Sequence, residues 1–446
     1  MCLLLAGVLV VGLGIFCFRL VTDGDDWATY SANKSIYNDK GKLTAGTLYD
    51  RNGTMLMSNT SGEMTFNEEY DIRTAAVHLT GDSYGNISTG ANRVYPDKLA
   101  GYNLITGTYS FSGKGRNVNL AVDAEICEAA DEALYGRSGT VGVYNYQTGE
   151  IICLVSSPNY DPYDPPELDE DDTSGIYINR FFSASFSPGS IFKLVTAAAS
   201  IENKDDYASW TVDCEGSIDY GSGDEVTCMD DHGEVDLKQA LSDSCNCYFG
   251  KLAEELGPDI MNEYVDKTGL TKNRKIDGIT TAAGSFEFPE SGVNLAWAGI
   301  GQHKDLVNPC TMMMYMGAIA NGGQAVKPRL IESVRFTTFD LPASLPAKSR
   351  DISMIEENTA NILKGMMRYN VEDTYGEHNF PDLNICAKSG TAEVGADQTP
   401  NAWFAGFLDD EEHPYAFIVL VEKGGSGSSV AGSVANKVLQ EVVDKY

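Results

Sequence analysis

Ser190 and Lys193 stand three residues apart in Pro188-Gly189-Ser190-Ile191-Phe192-Lys193, where a loop runs into the apolar stretch Leu194-Val195-Thr196-Ala197. That spacing at a helix start puts both side chains on one face. The positive end of a helix dipole and a neighbouring ammonium favour a serine alkoxide, while burial and nearby positive charge lower a lysine pKa until the amine can act as a base. A serine activated in this way is a nucleophile. Alone the signal is weak, because chance supplies on the order of one Ser-x-x-Lys in a chain this long. Ser31-Ala32-Asn33-Lys34 is such a match, in a polar stretch where nothing suits catalysis.

Two further groups carry polar side chains of the same chemistry. Ser244-Cys245-Asn246 falls in a helical pattern that begins near Asp236. Residues two apart on a continuous helix diverge by about 200°. Both side chains therefore reach one site only if the chain breaks there, in a loop or at a helix end. Lys388-Ser389-Gly390-Thr391 continues the apolar run Ile385-Cys386-Ala387 and reads as a strand, in which a glycine marks the close approach of another chain. A competing Lys267-Thr268-Gly269 closes an amphipathic helical stretch, where glycine is an ordinary C-terminal cap.

These groups need a scaffold, and the patterning supplies one. A helical pattern over 123–134 is followed by a β-hairpin of residues 140–146 and 150–156. Residues 158–174 form a Pro- and Asp-rich loop whose acidic run lacks calcium-loop spacing. Helical segments near 191–202, 236–255, 292–299 and 309–321 make a largely helical middle. The C-terminal part alternates β-prone runs at 329–336, 385–394, 402–407 and 415–421 with helices at 355–368 and 431–444. Helices first, then hairpin-spaced strands and a closing helix, predict an antiparallel sheet with helices on its faces.

Ser-x-x-Lys, Ser-x-Asn and Lys-Ser-Gly in this order form the motif set of penicillin-binding proteins and serine β-lactamases. The chain resembles that family over essentially its whole length. Gly139-Thr140-Val141-Gly142, Gly299-Ile300-Gly301-Gln302, Asn321-Gly322-Gly323, Lys327-Pro328 and Trp403-Phe404-Ala405-Gly406-Phe407 look like transpeptidase-domain landmarks. Tyr49-Asp50-Arg51-Asn52-Gly53 looks like the membrane-proximal element of the class B, monofunctional members. With only about a hundred residues before the catalytic domain, the chain resembles the short members linked to cell division.

The resemblance implies an α+β fold. A penicillin-binding/serine β-lactamase-like transpeptidase domain over 118–446, with an antiparallel sheet flanked by helices and an all-helical lobe, follows a small β-rich module at 23–117 and a membrane anchor at 1–22. It implies Ser190 as acylated nucleophile, Lys193 as its base and Ser244 as proton relay to the leaving amine. Asn246 holds the substrate amide, Lys388 sets the field, and Ser389, Gly390 and Thr391 bind substrate. The hydroxyl of Thr391 takes the terminal carboxylate, and the N–H groups of Ser190 and Thr391 make the oxyanion hole.

The activity implied is D,D-transpeptidation of peptidoglycan stem peptides, inhibited covalently by β-lactams. A D,D-carboxypeptidase would use water as acceptor and carries the same motifs. A β-lactamase needs a positioned deacylating base, and none is identifiable. A catalytically silent scaffold or sensor is the reading from another class, opposed by the intact motifs and by a single preceding membrane segment. Lys193 is expected to matter for chemistry more than for folding, as an exposed lysine would.

Net charge of −32, from 32 Lys and Arg against 64 Asp and Glu, argues against a nucleic-acid partner. Met1 to Phe18 carries no charged side chain, which spans roughly 27 Å as a helix and predicts an uncleaved anchor. Neither a small-x-small cleavage site nor a lipoprotein site near Cys17 follows it. No Lys or Arg precedes the run, so the family resemblance alone orients it. The catalytic domain is then extracytoplasmic on a single-pass protein of the cell membrane, with a glycosyltransferase of the division or elongation machinery as an expected partner. The ten cysteines include no Cys-x-x-Cys, and the close pair Cys245 and Cys247 has no histidine at metal-ligand spacing, so neither a metal nor a cofactor is expected. Cys214 and Cys228 bracket a Gly- and Asp-rich loop, where a disulfide and two separate thiols are equally compatible.

Overall fold

The computed structural model describes residues 2–22, 45–60, 62–100, 115–221, 223–336, 342–344, 351–395 and 398–446. By its internal contacts the chain divides into two units, one of residues 1–121, 160–167 and 331–347 and one of residues 122–159, 168–330 and 348–446.

In the second unit a five-stranded sheet runs in the order Ile385–Ala392, Asn401–Leu408, Tyr415–Val421, Gly139–Asn145, Ile151–Ser157, every neighbour antiparallel. Every residue of Asn401–Leu408 and Tyr415–Val421 is buried, so both faces are covered and these strands show no polar alternation. One cover is the pair Ala124–Leu134 and Gly432–Lys445, which pack on each other and on the sheet. A second is Pro309–Ala320 with Glu357–Asn370. Pro309–Ala320 starts where Asn308 caps it, accepting from Thr311 N, with Pro309 in the first turn. The Asn308 amide also donates to the carbonyls of Phe181, Phe182 and Ala184, which fixes that buried corner. The helical lobe holds Lys193–Asn203, Leu237–Ser242, Asn246–Lys267 and Val293–Gly299. The antiparallel sheet with helices on its faces is the arrangement the patterning predicts.

The first unit has its own six-stranded sheet, ordered 342–344, 331–336, 116–120, 47–49, 55–58, 65–66. The Asp50-Arg51-Asn52-Gly53 turn closes as its residue types dictate. Buried Asp50 accepts from Asn52 N and Thr54 N at 2.9 and 2.7 Å, and Gly53 takes φ +90°. Helices of four to six residues at 70–75, 77–80, 91–94 and 96–100 lie in the same unit, too short to leave a 3.6-residue period in the sequence.

Cys2–Thr22 is a 21-residue helix whose side chains are described at 6–19, all exposed. Among the described residues, no helix is long and apolar enough to cross a membrane. Ser31 to Lys34 lie outside the described residues.

Candidate active site

Pro188-Gly189 turns the chain into a single 3-10 turn, Gly189–Phe192, from which the helix Lys193–Asn203 departs. Ser190 lies in that turn, half-buried, and Lys193 is the first residue of the helix. Gly189 is required here on two counts. Its φ is +53°, and a Cβ would sit 2.6 Å from the carbonyl oxygen of Thr391. The turn carrying Ser190 thus lies directly against the edge strand Ile385–Ala392. Gly189 N donates to Gly301 O at 2.8 Å, and Gln302 Nε2 reaches Thr391 O at 3.5 Å, so Gly299-Ile300-Gly301-Gln302 braces the contact. Gly189→Ala is expected to lower stability by about 1–3 kcal/mol and to slow acylation as the turn withdraws from Thr391. Thermal melting and a β-lactam acylation rate on one preparation check it.

The helical pattern that begins near 236 is interrupted at the second motif. Leu237–Ser242 ends, Ser244 adopts φ +57°, and Cys245 caps a new helix, Asn246–Lys267. A serine in the left-handed region carries strain that surrounding contacts must hold. Lys193 Nζ supplies them, donating to Ser244 O at 2.5 Å, to Ser244 Oγ at 3.2 Å and to Asn246 Oδ1 at 2.7 Å. The Asn246 amide donates in turn to Thr227 O at 2.7 Å.

Lys388 closes the cluster from the strand. Its Nζ donates to Ser244 Oγ at 3.1 Å and to Ser389 O at 3.2 Å. The Ser244 hydroxyl therefore sits between two lysines, both with side chains fully buried. Burial first, and then the neighbouring charge of Lys388, pushes Lys193 down to about 7. Burial likewise pushes Lys388 down to about 7. An amine of that pKa is a competent base at neutral pH, and a hydroxyl bonded to two such groups is a path for a proton. The expectation of an exposed Lys193 is corrected. The lysine is buried because the first turn of its helix packs beneath the Ser244 turn, which one-dimensional spacing does not reveal.

Gly390 lies opposite Trp403 on the next strand, and a Cβ there would meet Pro188 O and Ile191 Cγ2 at 3.1 Å. Thr391 is exposed and Ser389 half-buried. Tyr375 accepts from Ser389 N at 2.9 Å, a support that no sequence signal marks. The other Lys-Thr-Gly is far from this chemistry in kind. Lys267 ends a helix, Gly269 takes φ +69°, and Lys267 pairs with Glu202. Lys267→Ala is expected to leave acylation within a few fold while removing the cation beside a nearly buried carboxylate, a loss of about 1 kcal/mol. Chemical denaturation and acylation kinetics separate the two effects.

Residues 139–440 match the family model described as the penicillin binding protein transpeptidase domain. Among curated relatives, the peptidoglycan D,D-transpeptidase PbpA of Mycolicibacterium smegmatis is 26% identical over 431 residues, covering 88% of this chain and 86% of that protein. Penicillin-binding protein 3 of Bacillus subtilis is 27% identical over 374 residues, covering 76% of this chain and 54% of its own. Among solved structures, penicillin-binding protein A from Mycobacterium tuberculosis, a ceftriaxone acyl-enzyme complex, superposes with a TM-score of 0.78 at 23% identity over 90% of this chain and 98% of that one. The chain belongs to the penicillin-binding protein transpeptidase family, with that family's mixed α/β fold.

Proposed function

We propose that this protein is a membrane-anchored serine D,D-transpeptidase that cross-links peptidoglycan stem peptides and is acylated by β-lactams. The observation that carries the reading is the Ser244 hydroxyl held between the buried amines of Lys193 and Lys388, in a chain of the transpeptidase family.

The donor peptide adds as a further strand along the edge strand Ile385–Ala392, with its terminal carboxylate at the Thr391 hydroxyl and its amide at Asn246. Ser190 Oγ attacks the carbonyl of the penultimate D-Ala and gives its proton to neutral Lys193. The N–H groups of Ser190 and Thr391 receive the oxyanion. As the tetrahedral intermediate collapses, Lys193 returns the proton through Ser244 Oγ to the departing nitrogen, and D-Ala leaves. Lys388 donates to the Ser244 hydroxyl and orients it in the relay. An amine from a second stem peptide then attacks the acyl-enzyme, and the same groups work in reverse.

The uncharged stretch Met1 to Phe18 in the sequence is what supports an anchor, since 18 residues span roughly 27 Å as a helix. The catalytic unit then faces the extracytoplasmic side, where peptidoglycan lies and a glycosyltransferase partner would supply glycan strands. Incubation with a stem-peptide donor and an amine acceptor tests the reading. Release of D-Ala with a cross-linked product is expected. Hydrolysis alone would make the protein a carboxypeptidase, and no turnover together with no β-lactam adduct would overturn the enzymatic reading.

A further inference from the structure

The residue between the two side chains of the second motif has a place of its own. Cys245 is buried, and its sulfur lies 3.7 Å from that of Cys228. The sulfur of Cys214 lies 3.4 Å from Nδ1 of His232. All four ligand atoms fall within 4.8 Å of one another. We propose that Cys214, Cys228, His232 and Cys245 bind a single zinc ion in a closed tetrahedral site that ties the hairpin region 212–235 to the Ser244–Asn246 turn.

The distances suit a shared ion better than a bond between sulfurs. With Zn–S near 2.3 Å and Zn–N near 2.05 Å, tetrahedral angles place two ligating sulfurs about 3.75 Å apart and a sulfur and a nitrogen about 3.55 Å apart. The observed 3.7 and 3.4 Å lie close to both. A disulfide needs about 2.05 Å. Three thiolates and an imidazole in a tetrahedron are a donor set that selects zinc, and four protein ligands leave no open position. The ion therefore holds structure and takes no part as a Lewis acid.

The backbone prepares the set. Cys214 ends the strand Val212–Cys214 and lies opposite Gly233 on Gly233–Val235, so His232 arrives beside it by register. The intervening hairpin Ser217–Gly221 and Asp224–Thr227 returns the chain, and Cys228 N bonds Gly216 O at 2.8 Å. Cys245 comes from the helix cap. Zinc with three thiolates and neutral imidazole carries one net negative charge, and the start of the helical segment that runs from Asn246 to the kink at Gly257 faces it. Asn246 N and Cys247 N donate to the Cys228 sulfur at 2.9 and 3.3 Å, and Tyr248 N donates to the Cys245 sulfur at 3.3 Å. Such N–H donors orient and stabilise metal thiolates. Cys228 and His232 stand four residues apart, but Cys214 and Cys245 lie 14 and 13 residues away from that pair and no Cys-x-x-Cys marks the set, which is why linear inspection finds no metal site.

The full chain, purified in detergent under reducing conditions from zinc-containing medium and dialysed, is expected to retain about one zinc per chain by elemental analysis. Cobalt(II) in its place should show thiolate-to-metal charge transfer and the intense visible bands of tetrahedral cobalt. Cys228→Ser and His232→Ala should each lose stoichiometric zinc. Because these variants can fail to fold, the wild type is also alkylated with and without a chelator, and the modified peptides are mapped. Chelation should speed modification of Cys214, Cys228 and Cys245 by on the order of tenfold or more. Absence of bound zinc and of the cobalt bands, alkylation indifferent to the chelator, or a disulfide joining Cys228 to Cys245 or Cys214 in the zinc-replete protein would each overturn the proposal. None of these readouts depends on the reaction assigned to Ser190.

Discussion

Ser190→Ala is expected to abolish the covalent β-lactam adduct. The adduct is an ester on Ser190 Oγ, and alanine has no atom to form it. Removal of a serine nucleophile costs on the order of 10⁶-fold in turnover where it has been measured in hydrolases. Cross-linking of a stem-peptide donor should therefore fall to background. The substitution deletes one oxygen from a half-buried turn and leaves Gly189 against Thr391, so folding should be nearly unchanged. Intact-mass analysis after incubation with penicillin, followed by peptide mapping, reads the result directly. An adduct of unchanged occupancy in the variant would place the nucleophile elsewhere.

Lys193→Ala should slow acylation by roughly 10²- to 10⁴-fold, the range for loss of a general base. Here the structure also predicts a stability change that an exposed lysine would not show. Without Nζ, the Ser244 carbonyl and Asn246 Oδ1 lose their donor, at about 1–3 kcal/mol for each group left unsatisfied. Relief from burying a cation offsets part of that, so the melting temperature should fall by a few degrees while the protein remains folded.

The pH profile separates base from brace. Lys193 is held down near 7, so the neutral amine predominates above that pH and the ammonium below it. Wild-type acylation should rise with pH, about tenfold per unit below pH 7, and level off above. Lys388 is also pushed down to about 7, so the inflection by itself does not name the lysine. Its disappearance in Lys193→Ala, measured well below the melting temperature, does. A variant that acylates at a near-normal rate, or that keeps the inflection, would remove Lys193 from the proton path.

Much of the scaffold was legible because its signals are local. Tyr415–Val421 is a short unbroken apolar run, and it is a strand with those bounds. Pro309–Ala320 is apolar all round, the mark of a helix covered on every side. The two-residue spacing of Ser244 and Asn246 demanded a chain break, and a cap and a positive φ supply it. Gly390, a glycine in a strand, announced close approach, though not what approaches, and Gly189 gave no such signal. They face each other's segments, the nucleophile turn and the edge strand.

What one-dimensional spacing could not carry is where distant segments meet. Residue types and order were enough to name the three motifs, the antiparallel sheet and the family, since each rests on neighbours within a few positions. Tertiary structure decided that 331–336 joins the sheet of the first unit, that Tyr375 supports Ser389, and that both lysines are buried around one hydroxyl. It also gathered Cys214, the Cys228–His232 pair and Cys245 from three separate stretches of chain. The reason is physical: a lysine's pKa is set by the solvent and charge around it, and a metal site by distances across space. Both arise only when burial of the apolar helices and strands brings those segments together.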